Sequence, residues 1–287
     1  MKDPVRRHIR RNDPPFKTAS FLGLGAVLLL IAACSSHQPR STAKDGISRD
    51  LPPPLDIAGI PDAIPRIEPM STYGNPDSYT VFGRSYHTLK ESSGYQKRGI
   101  ASWYGSKFHG QRTSSGEPYD MYAMTAAHKT LPLPCYARVT NLQNNRSVVV
   151  KINDRGPFHD NRLIDLSYTA AWKLGIIGKG TGLVEVTALD PAAPSPPPAV
   201  QATRSSPPHS LPELFLQVGA FGKSENAGRL KQLIEEQLQV NVLIEESLGE
   251  SPLYRVQVGP IASVELADHL TLRLDELGIR DPHVVIR

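Results

Sequence analysis

An internal repeat in the C-terminal part of the sequence constrains the fold more than any other feature. The triplet Gln217-Val-Gly recurs as Gln257-Val-Gly, and Ala227 recurs as Ala267, at one spacing in both cases. Each copy begins with a strand pattern, continues with apolar residues at helical spacing and ends in a second short strand. Two strand–helix–strand units of this size predict a split βαβ sandwich, with both helices on one face of a sheet and the other face free.

Two proline-rich stretches, 34–93 and 191–210, show no sustained periodicity and offer little to bury. Such composition is typical of a tether and a linker, although Tyr79-Thr-Val-Phe could pack on the domain that follows. The chain is therefore predicted to consist of a leader at 1–33, a tether at 34–93, a first folded domain at 94–190, a linker at 191–210 and a second folded domain at 211–287.

The first folded domain contains several short strand patterns and one short helix. The strand patterns start near Ile100, Tyr136, Ser147 and Val184. A helical pattern follows Asp165 and is expected to end at the glycine eleven residues into that segment. Many short strands with few helices predict a small, mainly β barrel, so the whole chain is expected to combine a mainly β domain with an α+β domain.

The basic character of the chain belongs to its first 33 residues. They hold six of the 32 Lys and Arg residues and two of the 28 Asp and Glu residues, so 26 of each sign remain in the rest of the chain. A nucleic-acid-binding protein carries its excess positive charge in the folded part. The charge distribution therefore argues against a nucleic-acid partner.

The leader has the three parts of an export signal, namely a positive start, the apolar run Phe21 to Ile31 and small residues. The run is too short to span a membrane. The segment Leu30-Ile-Ala-Ala-Cys34 resembles the lipobox of bacterial lipoproteins, which implies that Cys34 is lipidated. Ser35 follows it, and the resemblance then implies an outer-membrane anchor facing the periplasm. Cys135 would be unpaired, and its apolar surroundings are more typical of a buried thiol than of a nucleophile.

A polar, glycine-rich loop from Gly105 to Asp120 and the strand exit at Asn153-Asp154-Arg155 stand out as candidate functional segments. With Ala101-Ser-Trp-Tyr-Gly, Thr125-Ala-Ala-His128 and the Ile-Asp-Leu-Ser segment, they closely resemble the double-psi β-barrel of the rare lipoprotein A family, the septal-ring lytic transglycosylases. The resemblance covers about residues 98–190. It implies a lyase that cuts the MurNAc–GlcNAc bond of peptidoglycan in the interior of glycan strands and leaves 1,6-anhydroMurNAc ends.

The resemblance carries three candidate catalytic residues to this chain. Asp154 is predicted to be the single acid/base, because a transglycosylase needs an acid for the leaving oxygen and then a base for the attacking hydroxyl. Glu117 and His128 match the other functional positions of the family and are expected to orient the sugar or tune the carboxylate. Asp154 as a turn cap and His128 as a structural imidazole are the alternatives. Asn153 and Asp165 are weaker candidates, expected to act as capping or turn residues.

The C-terminal repeat resembles the sporulation-related repeat (SPOR) domain, which binds glycan strands stripped of their stem peptides. The resemblance implies Gln217 and Arg255 as glycan-binding residues on the free sheet face, with Tyr254 or Phe221 stacking on a sugar ring. It also implies enrichment at the division septum, a preference for peptide-free strands and partners among the cell-division proteins.

Two other functions remain open on the sequence. A barrel that grips polysaccharide without cutting it, as in the related expansins, would make the chain a binding protein. An inverting hydrolase would need a second carboxylate opposite Asp154, a place that Glu117 could fill. The histidines His109, His128 and His159 are scattered without ligand spacing, so neither a metal nor another cofactor is expected.

Overall fold

The computed structural model describes residues 56–192, 211–247 and 252–287. The predicted leader at 1–33, the predicted lipidation site Cys34 and nearly all of the predicted linker lie outside these residues. None of the helices in the described ranges is long and apolar enough to cross a membrane.

The part of the structure that precedes residue 193 is built from strands, one short helix and one turn of 3-10 helix at Ser106–Phe108. Its strands are β1 (Ser78–Val81), β2 (Arg84–His87), β3 (Gln96–Trp103), β4 (Thr125–His128), β5 (Cys135–Asn141), β6 (Ser147–Asp154), β7 (Arg162–Leu166) and β8 (Gly182–Leu189). The helix, α1, spans Tyr168–Leu174.

Six of these strands close into a barrel in the order β3-β7-β4-β6-β5-β8. The pairs β3/β7 and β4/β6 are parallel, and the other pairs are antiparallel. Alternating apolar side chains such as Ala126, Ile152 and Ile164 fill the interior without solvent exposure. The predicted double-psi barrel is confirmed.

Local sequence explains the two turns that flank the functional segments. The β5–β6 hairpin turns through Asn145 at a φ of 56°, a left-handed conformation that asparagine tolerates. Ser167 caps α1 by accepting a hydrogen bond from the Ala170 amide, and Gly175 ends it at a φ of 73°. The predicted helix end is therefore correct. Its predicted start was three residues early, since Asp165 lies in β7.

Residues 56–75, which we call the strap, lie against the outside of the barrel, although the sequence analysis placed them in the tether. Asp62 accepts a hydrogen bond of 2.9 Å from the Val149 amide. The Asn75 side chain donates to the Leu133 carbonyl and accepts from the Leu133 amide, at 2.7 and 2.8 Å. The hairpin β1–β2 follows the strap, and Tyr79 within it donates to the Lys129 carbonyl at 2.7 Å. Residues 56–75 are thus part of the packed structure.

The second folded domain contains the elements that the repeat predicts. They are β9 (Leu214–Phe221), α2 (Ser224–Leu238), β10 (Val242–Ser247), β11 (Leu253–Ile261), α3 (Val264–Glu276) and β12 (His283–Ile286). The strands form an antiparallel sheet in the order β10-β11-β9-β12. Leu216, Val256 and Val258 face the helices and are buried. The predicted split βαβ fold is confirmed.

The C-terminal domain contacts the barrel through α3. Arg162 at the start of β7 binds the Asp268 carboxylate with two hydrogen bonds of 2.9 and 2.6 Å. Beside them, the Asn161 amide donates to the Thr271 hydroxyl at 2.6 Å. Ile100 and Leu183 of the barrel join the apolar cluster of the C-terminal domain. Apolar and charged contacts therefore both connect the two domains.

Candidate active site

Asp154 lies at the end of β6, where the strand leaves the barrel, and its carboxyl group is firmly held. Oδ1 accepts hydrogen bonds from the Ser114 amide at 2.8 Å, the Ser114 hydroxyl at 2.7 Å and the Arg155 amide at 2.8 Å. No described residue donates a hydrogen bond to Oδ2. The three donors fix the plane of a half-buried carboxyl group and leave one oxygen available to a substrate.

Glu117 lies beside the same segment of β6 and shares a lysine with a residue of the strap. Its carboxylate accepts hydrogen bonds from Lys151 Nζ at 2.7 Å and Asn153 Nδ2 at 2.8 Å. Lys151 also donates to Glu68 Oε2 at 2.9 Å. Burial alone would raise the pKa of Glu117, but the hydrogen bonds from Asn153 and Lys151 outweigh it and lower that pKa. Glu117 is therefore ionised at neutral pH.

Glu68 is the more strongly stabilised carboxylate of this pair. Burial would raise its pKa, but hydrogen bonds from Tyr136, Lys151 and Arg66 lower it to about 2. Two carboxylates thus face one ammonium group, and Arg66 pairs with Glu68 from the other side, so the cluster of Glu68, Glu117, Lys151 and Arg66 is balanced in charge. The ionised Glu117 carboxylate, which is bonded to the residue before Asp154, can stabilise positive charge that develops on a bound molecule.

His128 is buried in the barrel wall, with 2% of its surface exposed. Its Nδ1 accepts hydrogen bonds from the amides of Thr130 and Leu131 at 3.1 and 3.0 Å, and its Nε2 lies 2.8 Å from the Tyr95 hydroxyl. Burial lowers the pKa of His128 to about 3, with a smaller contribution from the positive charge of Arg155. The imidazole is neutral, and its hydrogen bonds join it to Tyr95, Thr130 and Leu131 rather than to Asp154 or Glu117. This geometry favours a structural role for His128.

Arg155 connects His128, the strap and Asp154. Its Nε donates to the Gly74 carbonyl at 2.7 Å, and its NH1 donates to the carbonyls of His128, at 3.1 Å, and Leu131. The guanidinium group therefore binds backbone carbonyls, while the backbone amide of the same residue donates to Asp154. Arg155 fixes the strand exit from which the Asp154 side chain projects.

A fourth carboxylate, that of Asp165, lies two strands from Asp154. Ala127 of β4 pairs with Asp154 on one side and with Asp165 of β7 on the other. Adjacent strands are about 4.8 Å apart, so the Cα atoms of the two aspartates lie about 10 Å from each other. Ser102 on β3 donates a hydrogen bond to Asp165. Asp165 is thus a strand residue that faces Ser102, and the prediction that it caps a helix or turn is wrong. Besides Glu117, it is a second candidate for the additional carboxylate that a hydrolase would need.

The free face of the C-terminal sheet carries Gln217 and Arg255 as expected. Gln217 pairs with Gln257 across β9 and β11, and Arg255 lies two residues from Gln257 on the same strand face. Gln257 itself is buried, and it accepts a hydrogen bond from Arg287 at 2.5 Å. Tyr254 differs from the prediction, because it packs with Phe221 against the core on the helix side of the sheet.

The site residues that the sequence analysis missed act through hydrogen bonds to Asp154 or Glu117. A Ser114 or a Lys151 has no distinguishing pattern in a sequence, although both lie within the segments that were singled out. Glu68 comes from a stretch that was assigned to the tether, and no local signal marks it. Within the described ranges, no group of three or more His, Cys, Asp or Glu residues could hold a metal ion.

Comparisons with known proteins identify both folded domains. Residues 96–187 match the family described as lytic transglycolase, and residues 213–286 match the SPOR domain family. The protein named endolytic peptidoglycan transglycosylase RlpA of Pseudomonas aeruginosa strain PAO1 is 40% identical over 90% of this chain and 92% of its own length. The protein of the same name from Vibrio cholerae is 40% identical over 88% of this chain and 91% of its own length.

Among solved structures, the RlpA SPOR domain from Pseudomonas aeruginosa is 29% identical and covers 25% of this chain and 96% of its own, with a TM-score of 0.24. The predicted family is confirmed by the identity and by the coverage of the two full-length relatives, which include both folded domains. The chain belongs to the RlpA family of endolytic peptidoglycan transglycosylases.

Proposed function

We propose that this chain cleaves the MurNAc–GlcNAc bond in the interior of peptidoglycan glycan strands and leaves 1,6-anhydroMurNAc ends. The observation that carries the proposal is the environment of Asp154, whose Oδ1 is held by three donors while Oδ2 receives no hydrogen bond from the described residues. A single oriented carboxyl group suits a reaction in which the acid and the base act one after the other.

In the proposed reaction, Asp154 first gives its proton to the glycosidic oxygen as the bond to the anomeric carbon breaks. The same carboxylate then accepts the proton of the MurNAc 6-hydroxyl, whose oxygen forms the new bond to that carbon. Asp154 is therefore protonated again at the end of the reaction, and no water is consumed. The geometry of Ser114 and Arg155 keeps Oδ1 fixed during both transfers.

Glu117 has a different role in this proposal. Because its pKa is lowered by Asn153 and Lys151, it is a poor proton donor at neutral pH. Its own negative charge can stabilise the oxocarbenium character of the transition state. His128 acts as a positioning residue, since its carbonyl and its imidazole hold Arg155 and the 129–131 turn.

The C-terminal domain is proposed to hold the strand while the barrel cuts it. Gln217 and Arg255 present amide and guanidinium groups on the free sheet face, and these groups suit sugar hydroxyls and acetamido carbonyls. Binding there would direct the enzyme to peptide-free strands at the division septum. Deleting residues 211–287 should abolish septal enrichment of a fluorescent fusion, and normal enrichment would remove this role from the domain.

The chain is further proposed to be anchored in the outer membrane through lipid on Cys34, facing the periplasm close to the cell-division proteins. The support is the lipobox-like segment that ends at Cys34. Replacement of Cys34 by Ala should prevent labelling by a palmitate analogue and release the protein from the membrane fraction. Unchanged labelling of that variant would contradict the anchor.

The catalytic proposal is tested by digesting purified glycan strands with the wild-type chain and with Asp154→Asn. The amide of the variant can accept the same hydrogen bonds from Ser114, so its fold should be preserved. Mass spectrometry should find anhydro ends with the wild type and none with the variant. Ends with one added water would indicate a hydrolase and direct attention to Asp165, whereas glycan binding without products would indicate a binding protein.

A further inference from the structure

The last five residues of the strap, 71–75, are held rigidly against the loop that binds Asp154. The Ser71 hydroxyl donates to the Ser115 carbonyl at 2.7 Å, and the Ser71 amide donates to the Leu133 carbonyl at 2.9 Å. The Asn75 side chain makes two further hydrogen bonds to the backbone of Leu133. Side chains on this segment therefore project from a fixed backbone.

The contact with the loop is close enough to require glycine at one position. Gly74 has a φ of 81°, and a Cβ placed there would lie 2.6 Å from the carbonyl oxygen of Ser114, the residue that donates twice to Asp154. The ring of Tyr73 lies 3.8 Å from the position of a Cβ at Gly116, one residue before Glu117. Tyr73 is thus adjacent to the segment that supplies Glu117 and orients Asp154.

Tyr73 differs from the other tyrosines around the barrel in its exposure. Its exposed fraction is 68%, whereas Tyr104, just before the loop, and Tyr119, within it, are 7% and 3% exposed. An exposed ring on a rigid backbone beside two carboxylates is a feature of binding sites rather than of a core. The C–H face of a pyranose ring is apolar, and it packs on an aromatic ring while its hydroxyls remain hydrogen-bonded.

We infer that residues 71–75 form one wall of the glycan cleft and that Tyr73 stacks on a sugar ring next to the cleaved bond. The ligand class rests on the proposed function, since the strand that reaches Asp154 also passes Tyr73. Glu68, another residue of the strap, is linked to Glu117 through Lys151. The strap is therefore part of the substrate site as well as the connection to the predicted tether.

The inference is tested first by kinetics on glycan strands of defined length, using the full chain purified in detergent. Tyr73→Ala should raise KM and lower kcat/KM by about five- to tenfold, the effect of losing one aromatic stacking contact. It should also shift the position of the cut along the strand, while Tyr73→Phe keeps both. Phe82→Ala is the matched control, because Phe82 is 89% exposed but lies on the β1–β2 turn. Equal KM and cutting position in wild type and Tyr73→Ala would overturn the inference.

A binding measurement separates this inference from the catalytic proposal. Hydrogen exchange is followed in the full-length Asp154→Asn chain with and without a peptide-free tetrasaccharide of the glycan repeat. Protection of residues 66–75 and 113–117, weakened in the double variant with Tyr73→Ala, would support the inference even if the wild type cuts nothing. Ligand protection confined to the C-terminal sheet, or an unprotected strap, would contradict it.

Discussion

Mild acid should destabilise the barrel through His128, the buried imidazole that bonds to Tyr95 and to the 130–131 amides. Its pKa is about 3 in the folded chain, against an ordinary value of 6.5. Between these values the unfolded chain takes up a proton and the folded chain does not, so stability present above about pH 6.5 is lost as the pH falls. From about pH 7 to about pH 5, the free energy of unfolding should decrease by about 2 kcal/mol.

Tryptophan fluorescence during urea unfolding measures this loss in the barrel, because both tryptophans of the chain, Trp103 and Trp172, lie there. His128→Asn should lack most of the pH dependence, since the amide oxygen replaces Nδ1 as an acceptor and does not titrate in this range. His87→Asn, at an exposed position, is the control and should behave as the wild type. The carboxylates with lowered pKa values titrate below this window, so equal pH dependence in His128→Asn and wild type would refute the reasoning.

Three further predictions follow from the site. Arg155→Lys replaces a planar donor group that binds several carbonyls, and should lower the free energy of unfolding by about 2–4 kcal/mol in the same fluorescence assay; an unchanged value would mean that these hydrogen bonds add no net stability. Glu68→Gln removes a negative charge that raises the pKa of Glu117, so the acid limb of the pH–rate profile should move to lower pH. A shift to higher pH would contradict the electrostatic coupling between Glu68 and Glu117. Cys135, whose pKa burial raises to about 12, should resist iodoacetamide at about pH 8 in a Cys34→Ala chain until urea unfolds it; rapid labelling of the folded chain would contradict its burial.

The repeat of the C-terminal domain predicted every helix and strand of that domain, because alternation and helical spacing are both strong there. The barrel was predicted less completely. β4 and β7 are short, and their sequences carry small or polar residues such as Ala127 and Asp165 that break the strand pattern. The strap was missed for a different physical reason. It is held by hydrogen bonds between side chains and backbone, as at Asn75, and these leave no periodicity in the sequence.

The candidate site was likewise predicted only in part from the sequence. Asp154 was singled out by the family resemblance together with its place at the exit of an apolar strand, and its catalytic role stays a prediction. The neutral state of His128 and the inward packing of Tyr254 could not be predicted, since both depend on neighbours that are distant in the sequence. Glu68 and Glu117 are 49 residues apart, and their common partner Lys151 follows another 34 residues later. The barrel and the strap that packs on it bring these three groups together.

The ion pair between Arg162 and Asp268 has a consequence for the products of the reaction. It joins the barrel to α3, so Asp154, the proposed acid/base, and the sheet that is proposed to bind glycan belong to two domains in direct contact. In the proposed function, a glycan strand bound by both domains spans a fixed distance, so we expect fragment length to depend on the domain contact. A positive charge at position 268 would repel Arg162 and loosen this contact. The distance between the two domains would then no longer be fixed.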